Sequence, residues 1–250
     1  MLPGVDCLAT SIPVNPYLQV TKTLGKPCKQ RKTFVLCALS HNHNYAVYNN
    51  NLTAIERAIN ERIFFVDYGD GFQPPLKPTQ SFVDALAPMF KQLRKLVQYT
   101  TPLTAREFAG TYVGRRRTIY DKACDSLLIK PITKNDSIVS AFIKAEKYNF
   151  TKKPNPAPRI IQPRGPRYIV ESGRYVKPIE KKIYKAIDSV YDSPTIFKGK
   201  NAEDRGAALR SHWDTFRKPV AIGIDAKRFD QHVSKEALEW EHSIYRLYYP

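Results

Sequence analysis

Gly223-Ile-Asp-Ala-Lys-Arg-Phe-Asp-Gln-His-Val-Ser234 sets two aspartates between an apolar run and an amphipathic one. Just upstream, Val220, Ile222 and Ile224 alternate with small residues, the period-2 pattern of a half-buried strand that ends at Asp225. Downstream, Ser234 is a good helix N-cap and Val233 and Leu238 can form a hydrophobic staple around it. Ala237, Trp240, Ile244 and Leu247 then recur at helical spacing. The expected order is strand, acidic turn, helix. A carboxylate on a rigid strand end suits Mg²⁺, which prefers oxygen ligands in near-octahedral geometry at phosphate sites. One carboxylate is not a site, because two-metal phosphoryl transfer needs further acidic ligands. The same aspartate pair also suits a helix cap or a solvated loop. Phe229 reads as a core anchor and His232 as a hydrogen-bonded turn residue.

Upstream lies a strongly basic stretch. From Ala141 to Lys185 there are 12 Lys or Arg and 3 acidic residues, interleaved with Tyr148, Phe150, Tyr168, Tyr175 and Tyr184. The run from Pro154 to Arg167 cannot sustain a helix, since each proline removes a donor and restricts its predecessor. A stiff arm is expected, offering Arg159, Arg164 and Arg167 to phosphates without first ordering a floppy chain. After it, Val176, Ile179, Ile183, Ala186, Ile187 and Val190 mark a helix with Pro178 in its first turn and Lys177, Lys181, Lys182 and Lys185 on its other face.

The 250 residues, 42% hydrophobic and 25% charged, suffice for a real core, and the formal charge of +17 calls for a polyanionic partner. Nucleic acid and an anionic membrane surface both fit that charge; the proline arm lacks the bulky apolar face of an interfacial helix. No stretch approaches the roughly 20 apolar residues of a spanning helix, and the first ten residues lack the pattern of a signal peptide, so the chain reads as non-secreted and non-spanning. Cysteines 7, 28, 37 and 124 show no disulfide framework and are expected reduced. Cys28, Cys37, His41 and His43 are spaced too widely for a usual zinc site. Proline-rich joints at 73–78 and 153–158 divide the chain. Before the first, Thr53-x-x-Glu56 is a capping-box signature opening a short helix with Ile55, Ala58 and Ile59 on one face. Between the joints, Phe82, Ala85, Leu86, Met89, Phe90, Leu93, Leu96 and Val97 mark a longer helix, with Pro88 a kink point. Tyr68-Gly-Asp-Gly71 reads as a turn.

Several pieces together resemble the RNA polymerase of the tombusvirus family of plant viruses. They are Gly114-Arg-Arg-Arg-Thr-Ile-Tyr120, Phe142-Ile-Lys-Ala-Glu-Lys147, Lys152-Lys-Pro-Asn-Pro-Ala-Pro-Arg-Ile-Ile-Gln-Pro-Arg164, Pro166-Arg-Tyr168, Lys198-Gly-Lys-Asn-Ala202 and the Asp225–Ser234 segment. The resemblance implies an α+β right-hand polymerase that copies viral RNA by template-directed nucleotidyl transfer. It makes residues 1–105 an N-terminal, fingers-associated region, 106–218 the fingers with a basic nucleotide-entry loop, and 219–250 the start of the palm. Asp225 then corresponds to a metal-binding aspartate for Mg²⁺ or Mn²⁺, and Asp230 to a residue that recognises the ribose 2′-hydroxyl. Lys144, Lys147 and Arg159 become candidates for the NTP triphosphate. Lys152, Lys153, Arg164, Arg167 and Arg174 are expected to touch template RNA or to stabilise the loop.

The family pattern continues with a Ser/Thr-Gly motif carrying an Asn and then a Gly-Asp-Asp hairpin, and neither stands in this sequence. The 250-residue chain is therefore expected to be inactive alone, and its last apolar helix is expected to find its packing partners downstream. The partners implied are viral RNA template and product, NTPs and a viral replication accessory protein. The implied setting is the host cytoplasm, at membrane-associated replication complexes reached through a partner or an upstream segment. The rival reading is a non-catalytic, basic RNA-binding accessory protein using the same arm.

Overall fold

The computed structural model describes residues 2–12, 30–34 and 44–249. Cys28, Cys37, His41 and His43 lie outside the described residues. The chain forms two compact units, one from Met1–Leu76, Ser137–Gly165 and Arg228–His232, the other from Lys77–Asp136, Pro166–Lys227 and Val233–Pro250. These units cut across the three contiguous segments drawn from the resemblance.

The first unit mixes short strands with one helix. Strands β1 (Leu2–Pro3) and β2 (Lys32–Thr33) pair antiparallel, as do β3 (Tyr45–Ala46) with β7 (Tyr148–Asn149) and β6 (Phe142–Ile143) with β8 (Ile160–Ile161). Strands β4 (Val66–Asp67) and β5 (Phe72–Gln73) form a hairpin. Its turn is Tyr68–Gly71, where Gly69 has φ +95° and Asp67 Oδ1 accepts from the Gly69 N–H at 3.0 Å. Helix α1 (Leu52–Ile59) runs directly into a π-helical turn, Asn60–Phe64. The cap of α1 is Asn51, which accepts from the Ala54 N–H at 2.9 Å, not Thr53. Ala54 and Ala58 present small faces that let the helix close on Tyr48, Ile143 and Cys7, the buried core of this unit.

The second unit is helical. Helix α2 (Gln80–Leu96) carries Pro88 inside it, and α3 (Ala105–Gly110) opens with a true capping box. There Thr104 Oγ1 accepts from the Glu107 N–H at 3.1 Å, and Glu107 Oε2 accepts from the Thr104 N–H at 2.7 Å. Helices α4 (Gly114–Ile129), α5 (Pro166–Val190), α6 (Ala202–Asp214) and α7 (Lys235–Arg246) follow. Phe108, Tyr120, Cys124 and Val170 join α3, α4 and α5 in one cluster. Leu93, Ile179, Ala186, Ile244 and Tyr248 join α2, α5 and α7 in another. The stripe on α7 thus finds partners upstream, in α2 and α5. Its cap is as expected, with Ser234 Oγ accepting from the Ala237 N–H at 3.2 Å.

Two further expectations are corrected. Helix α5 begins twelve residues before Pro178, with Pro166 in its first turn and Pro178 in its interior. An interior proline leaves the carbonyl four residues back without its N–H, and here that carbonyl, Arg174 O, accepts from the Leu103 N–H at 3.0 Å. Arg174 Nε returns a bond to Leu103 O at 2.8 Å. The second correction is the run Val220–Ile224, which forms no strand: it is irregular and exposed, Ile224 at 91%. Alternation alone makes no strand; a ladder partner must accept from its N–H groups and donate to its C=O groups, and none of the described residues does.

Candidate functional site

Three prolines between residues 154 and 158 leave the arm with few donors and a row of carbonyls to satisfy. The first unit satisfies them with side chains. Arg57, only 4% exposed, donates from Nη2 to the Asn155 carbonyl at 3.0 Å, from Nη1 to Asn155 Oδ1 at 2.5 Å and from Nε to Glu61 Oε1 at 2.9 Å. The Tyr48 hydroxyl donates to the Pro156 carbonyl at 2.8 Å. Arg62 donates twice to the Ala157 carbonyl, at 3.1 and 3.3 Å. The Arg159 N–H donates to Tyr148 Oη at 2.8 Å, and its carbonyl accepts from the Lys144 N–H at 2.8 Å. The arm is thus held almost residue by residue up to Arg159.

Pairing of β6 with β8 brings Lys144 beside Arg159. Lys144 Nζ lies 3.1 Å and Arg159 Nη1 3.3 Å from the same oxygen, Glu146 Oε2, while the Tyr148 hydroxyl donates to Glu146 Oε1 at 2.9 Å. Burial pushes the Glu146 carboxyl up, but the bonds from Tyr148 and Lys144 and the nearby cations outweigh it and hold it below its ordinary value. Burial, together with the adjacent Glu146 carboxylate, pushes the Tyr148 hydroxyl up to about 12, against a smaller opposing effect of the Arg159 N–H. Both cations remain half-exposed. Next to them a cavity of about 430 Å³ is lined by Arg31, Lys32, Lys147 and Glu146, among others. Two clustered cations sharing one carboxylate, with more cations close by, make a surface that can exchange that carboxylate for an incoming phosphate.

Asp230 lies in the same unit, exposed on the 3₁₀ turn Phe229–His232. The turn follows Arg228, a non-glycine residue at φ +53°. It is fastened beneath by Gln231, whose Nε2 donates to Phe65 O at 2.5 Å and to Glu61 O at 3.4 Å, and by Arg228, which donates to Glu61 O. Phe229 is 68% exposed and is no core anchor; the buried residue of the turn is Gln231. His232 is also exposed. Asp225 belongs to the second unit, in the irregular stretch after Ile224. Its carboxylate is exposed and has no hydrogen bond or ion pair among the described residues. No three His, Cys, Asp or Glu side chains converge among those residues. Asp225 is therefore the right chemical type for a hard cation, but alone it does not make a magnesium site.

The sequence pattern of the family described as "Viral RNA dependent RNA polymerase" matches residues 19–250. The chain belongs to that family. It is 43% identical over 232 residues, 92% of its length, to the RNA-directed RNA polymerase of Turnip crinkle virus. It is 41% identical over 229 residues, 91% of its length, to that of Tobacco necrosis virus (strain D). To that of Tomato bushy stunt virus (strain Cherry) it is 41% identical over 227 residues, 90% of its length. The matched region is 30%, 32% and 28% of these three relatives, so the chain spans about a third of their length. No solved structure matches it.

The other basic candidates of this viral polymerase chain differ in how free they are. Lys152 and Lys153 are exposed on a turn whose backbone Asn149 fixes, its Oδ1 accepting from the Lys152 N–H at 3.1 Å. Arg164 donates to Ser137 O at 3.2 Å. Arg167 is spent on its own unit, donating to Asp136 Oδ1 at 2.8 Å, Ser126 Oγ at 2.7 Å, Lys130 O at 2.7 Å and Pro131 O at 3.0 Å. The Arg167 bond to Asp136, with the Thr133 N–H, holds the Asp136 carboxyl down at about 2. Arg174 joins Leu103, as described. Arg167 and Arg174 thus have the bonding of structural arginines. Sequence reasoning missed Arg57, Arg62, Tyr48 and Gln231; only Arg57 carries a local signal, a basic residue set within the apolar stripe of α1.

Proposed function

We propose that the chain is part of the RNA-directed RNA polymerase of a positive-strand RNA virus, an enzyme that transfers nucleotidyl groups from NTPs to an RNA 3′-hydroxyl under the direction of a template. In this reading the fold is the fingers and the start of the palm of a right-hand polymerase. The observation that supports it best is the convergence of Lys144 and Arg159 on a single Glu146 oxygen beside a cation-lined cavity. An NTP triphosphate offers those two cations a denser negative partner than one carboxylate, and charge accumulating on the leaving pyrophosphate strengthens the contact as the bond breaks. Lys147 adds a third cation at the cavity.

Asp230 recognises the ribose 2′-hydroxyl, for which an exposed carboxylate on a fastened turn is a suitable acceptor. Asp225 would supply one oxygen ligand to Mg²⁺ or Mn²⁺, which when bound would stabilise the negative charge of the reacting phosphates. Lys152, Lys153 and Arg164 face template or product RNA, with Arg167 and Arg174 stabilising the elements behind them. Among the described residues no helix is long and apolar enough to cross a membrane. We place the enzyme in the host cytoplasm, at replication membranes reached through an accessory protein or another segment.

The test is Arg159→Ala in the whole polymerase. Losing a charge-assisted bond of about 1.5–3 kcal/mol raises the NTP KM by about tenfold or more, with template affinity unchanged. An unaltered KM contradicts the triphosphate assignment.

A further inference from the structure

The π-helical turn Asn60–Phe64 touches both the arm that carries Arg159 and the turn that carries Asp230. Arg57, one turn earlier, and Arg62, within it, grip the carbonyls of Asn155 and Ala157. At its C-terminal end, the carbonyls of Glu61 and Phe65 receive Gln231 Nε2, and Glu61 O also receives Arg228. We infer that this turn is a shared anchor that positions Arg159 and Asp230 relative to each other, with Arg62 and Gln231 as its positioning residues. The inference deepens the polymerase reading and rests on it.

The physical reason lies in the π geometry. The Phe65 N–H bonds back to Asn60 O at 2.9 Å, five residues earlier, where an α-helix would bond to Glu61 O. The Glu61 carbonyl is thereby left for a side chain from elsewhere, and the 228–232 segment supplies two. Gln231 is 7% exposed, so the donors it gives to Glu61 O and Phe65 O are given without competition from water. Arg62 senses both partners: burial first, then the charge of Arg228 and, less strongly, that of Arg159, lower its affinity for its proton. The phosphate grip and the sugar contact therefore meet on one turn, and a displacement of either reaches the other through a few hydrogen bonds.

The test uses the whole polymerase with Arg62→Met and Gln231→Met, which keep side-chain length and remove the donors. Arg62→Met is expected to raise the NTP KM about threefold to tenfold with kcat within about twofold, and Gln231→Met to lower the preference for NTP over dNTP by a similar factor. The double variant is expected to depart from the product of the single effects by more than about twofold, because both act on one turn. Arg62→Lys, which keeps a cation within reach of the Ala157 carbonyl, restores part of the KM. Lowered kcat with KM and sugar preference unchanged, or single effects that simply multiply, overturns the shared anchor. Arg159→Ala and Asp230→Asn in the same assays separate the two levels. If they shift KM and preference while the anchor variants do not, only the anchor fails; if they shift neither, the polymerase reading fails with it. Where a methionine variant does not fold, Arg62→Gln and Gln231→Leu carry the same cycle.

Discussion

Arg57→Met removes the guanidinium that grips the arm and leaves the Glu61 carboxylate without its ion-pair partner. Both side chains are nearly shut off from water, at 4% and 12% exposure, so the loss is that of a buried pair broken on one side, about 3–5 kcal/mol. Arg57→Met with Glu61→Met removes both charges together. Both variants lose the two bonds to Asn155, but only the single one leaves a buried carboxylate unpaired, so the double variant is the more stable by that penalty, about 1–3 kcal/mol. Native-state hydrogen exchange at the amides of α1 and β6 reads this directly, with about tenfold faster exchange per 1.4 kcal/mol. Arg57→Met should speed those amides by about two to three and a half orders of magnitude, and the double variant by about one to two orders less. A single variant that costs under about 1 kcal/mol, or a double whose cost is the sum of two singles, refutes the reasoning.

Gly173→Ala should destabilise the second unit. A Cβ there would lie 2.3 Å from Cε2 and 2.5 Å from Cζ of the buried Phe108 ring, and overpacking of about 1–3 kcal/mol exceeds the roughly 1 kcal/mol that alanine gains in a helix. A higher melting temperature for the variant would contradict this packing. The Asp136 carboxyl, held at about 2 against its ordinary 3.8, contributes stability that is complete above pH 3.8 and is lost as the pH falls through about 2. A carboxyl NMR titration should find that midpoint near 2, Arg167→Met should move it up, and a midpoint near 3.8 in the unaltered chain would remove the Arg167 bond from the account.

Sequence periodicity was a good guide wherever an apolar stripe faced a core. The stripes of α1 and α7 and the later half of α5 pack against a core, whereas on α2 only the part around Met89, Phe90, Leu93 and Val97 does, and Phe82, Ala85 and Leu96 are exposed. The start of α5 was hidden because Gly165 and Pro166 look like a break, when proline is in fact well suited to a first turn. Interior Pro178 looked like a start for the same reason, and only the Leu103 N–H, far away in sequence, explains why the helix tolerates it. Capping signatures misled in one place: Thr53-x-x-Glu56 fits the pattern, yet Asn51 takes the cap, whereas Thr104-x-x-Glu107 forms the reciprocal box. Strands of two residues carry no readable period. The alternation at Val220–Ile224 is genuine, but alternation names a face and says nothing of a ladder partner.

The candidate site was legible in part. The basic motifs marked Lys144 and Arg159, and strand pairing brings them to one carboxylate. Motif resemblance also marked Asp230, but its anchor through Gln231 depends on contacts about 170 residues apart in the chain, beyond the reach of any local pattern. The arginines of the arm could not be sorted by sequence either. Arg159 is half-exposed and Arg167 is fully engaged, and the difference lies in Asp136, Ser126 and the carbonyls after α4.

The most direct measurement is RNA synthesis and RNA retention by the whole polymerase carrying Asp225→Asn. If Asp225 holds the metal as proposed, nucleotide incorporation falls to background while template binding stays within about twofold. Incorporation at a substantial fraction of the unaltered rate, with contaminating polymerase excluded, would contradict it.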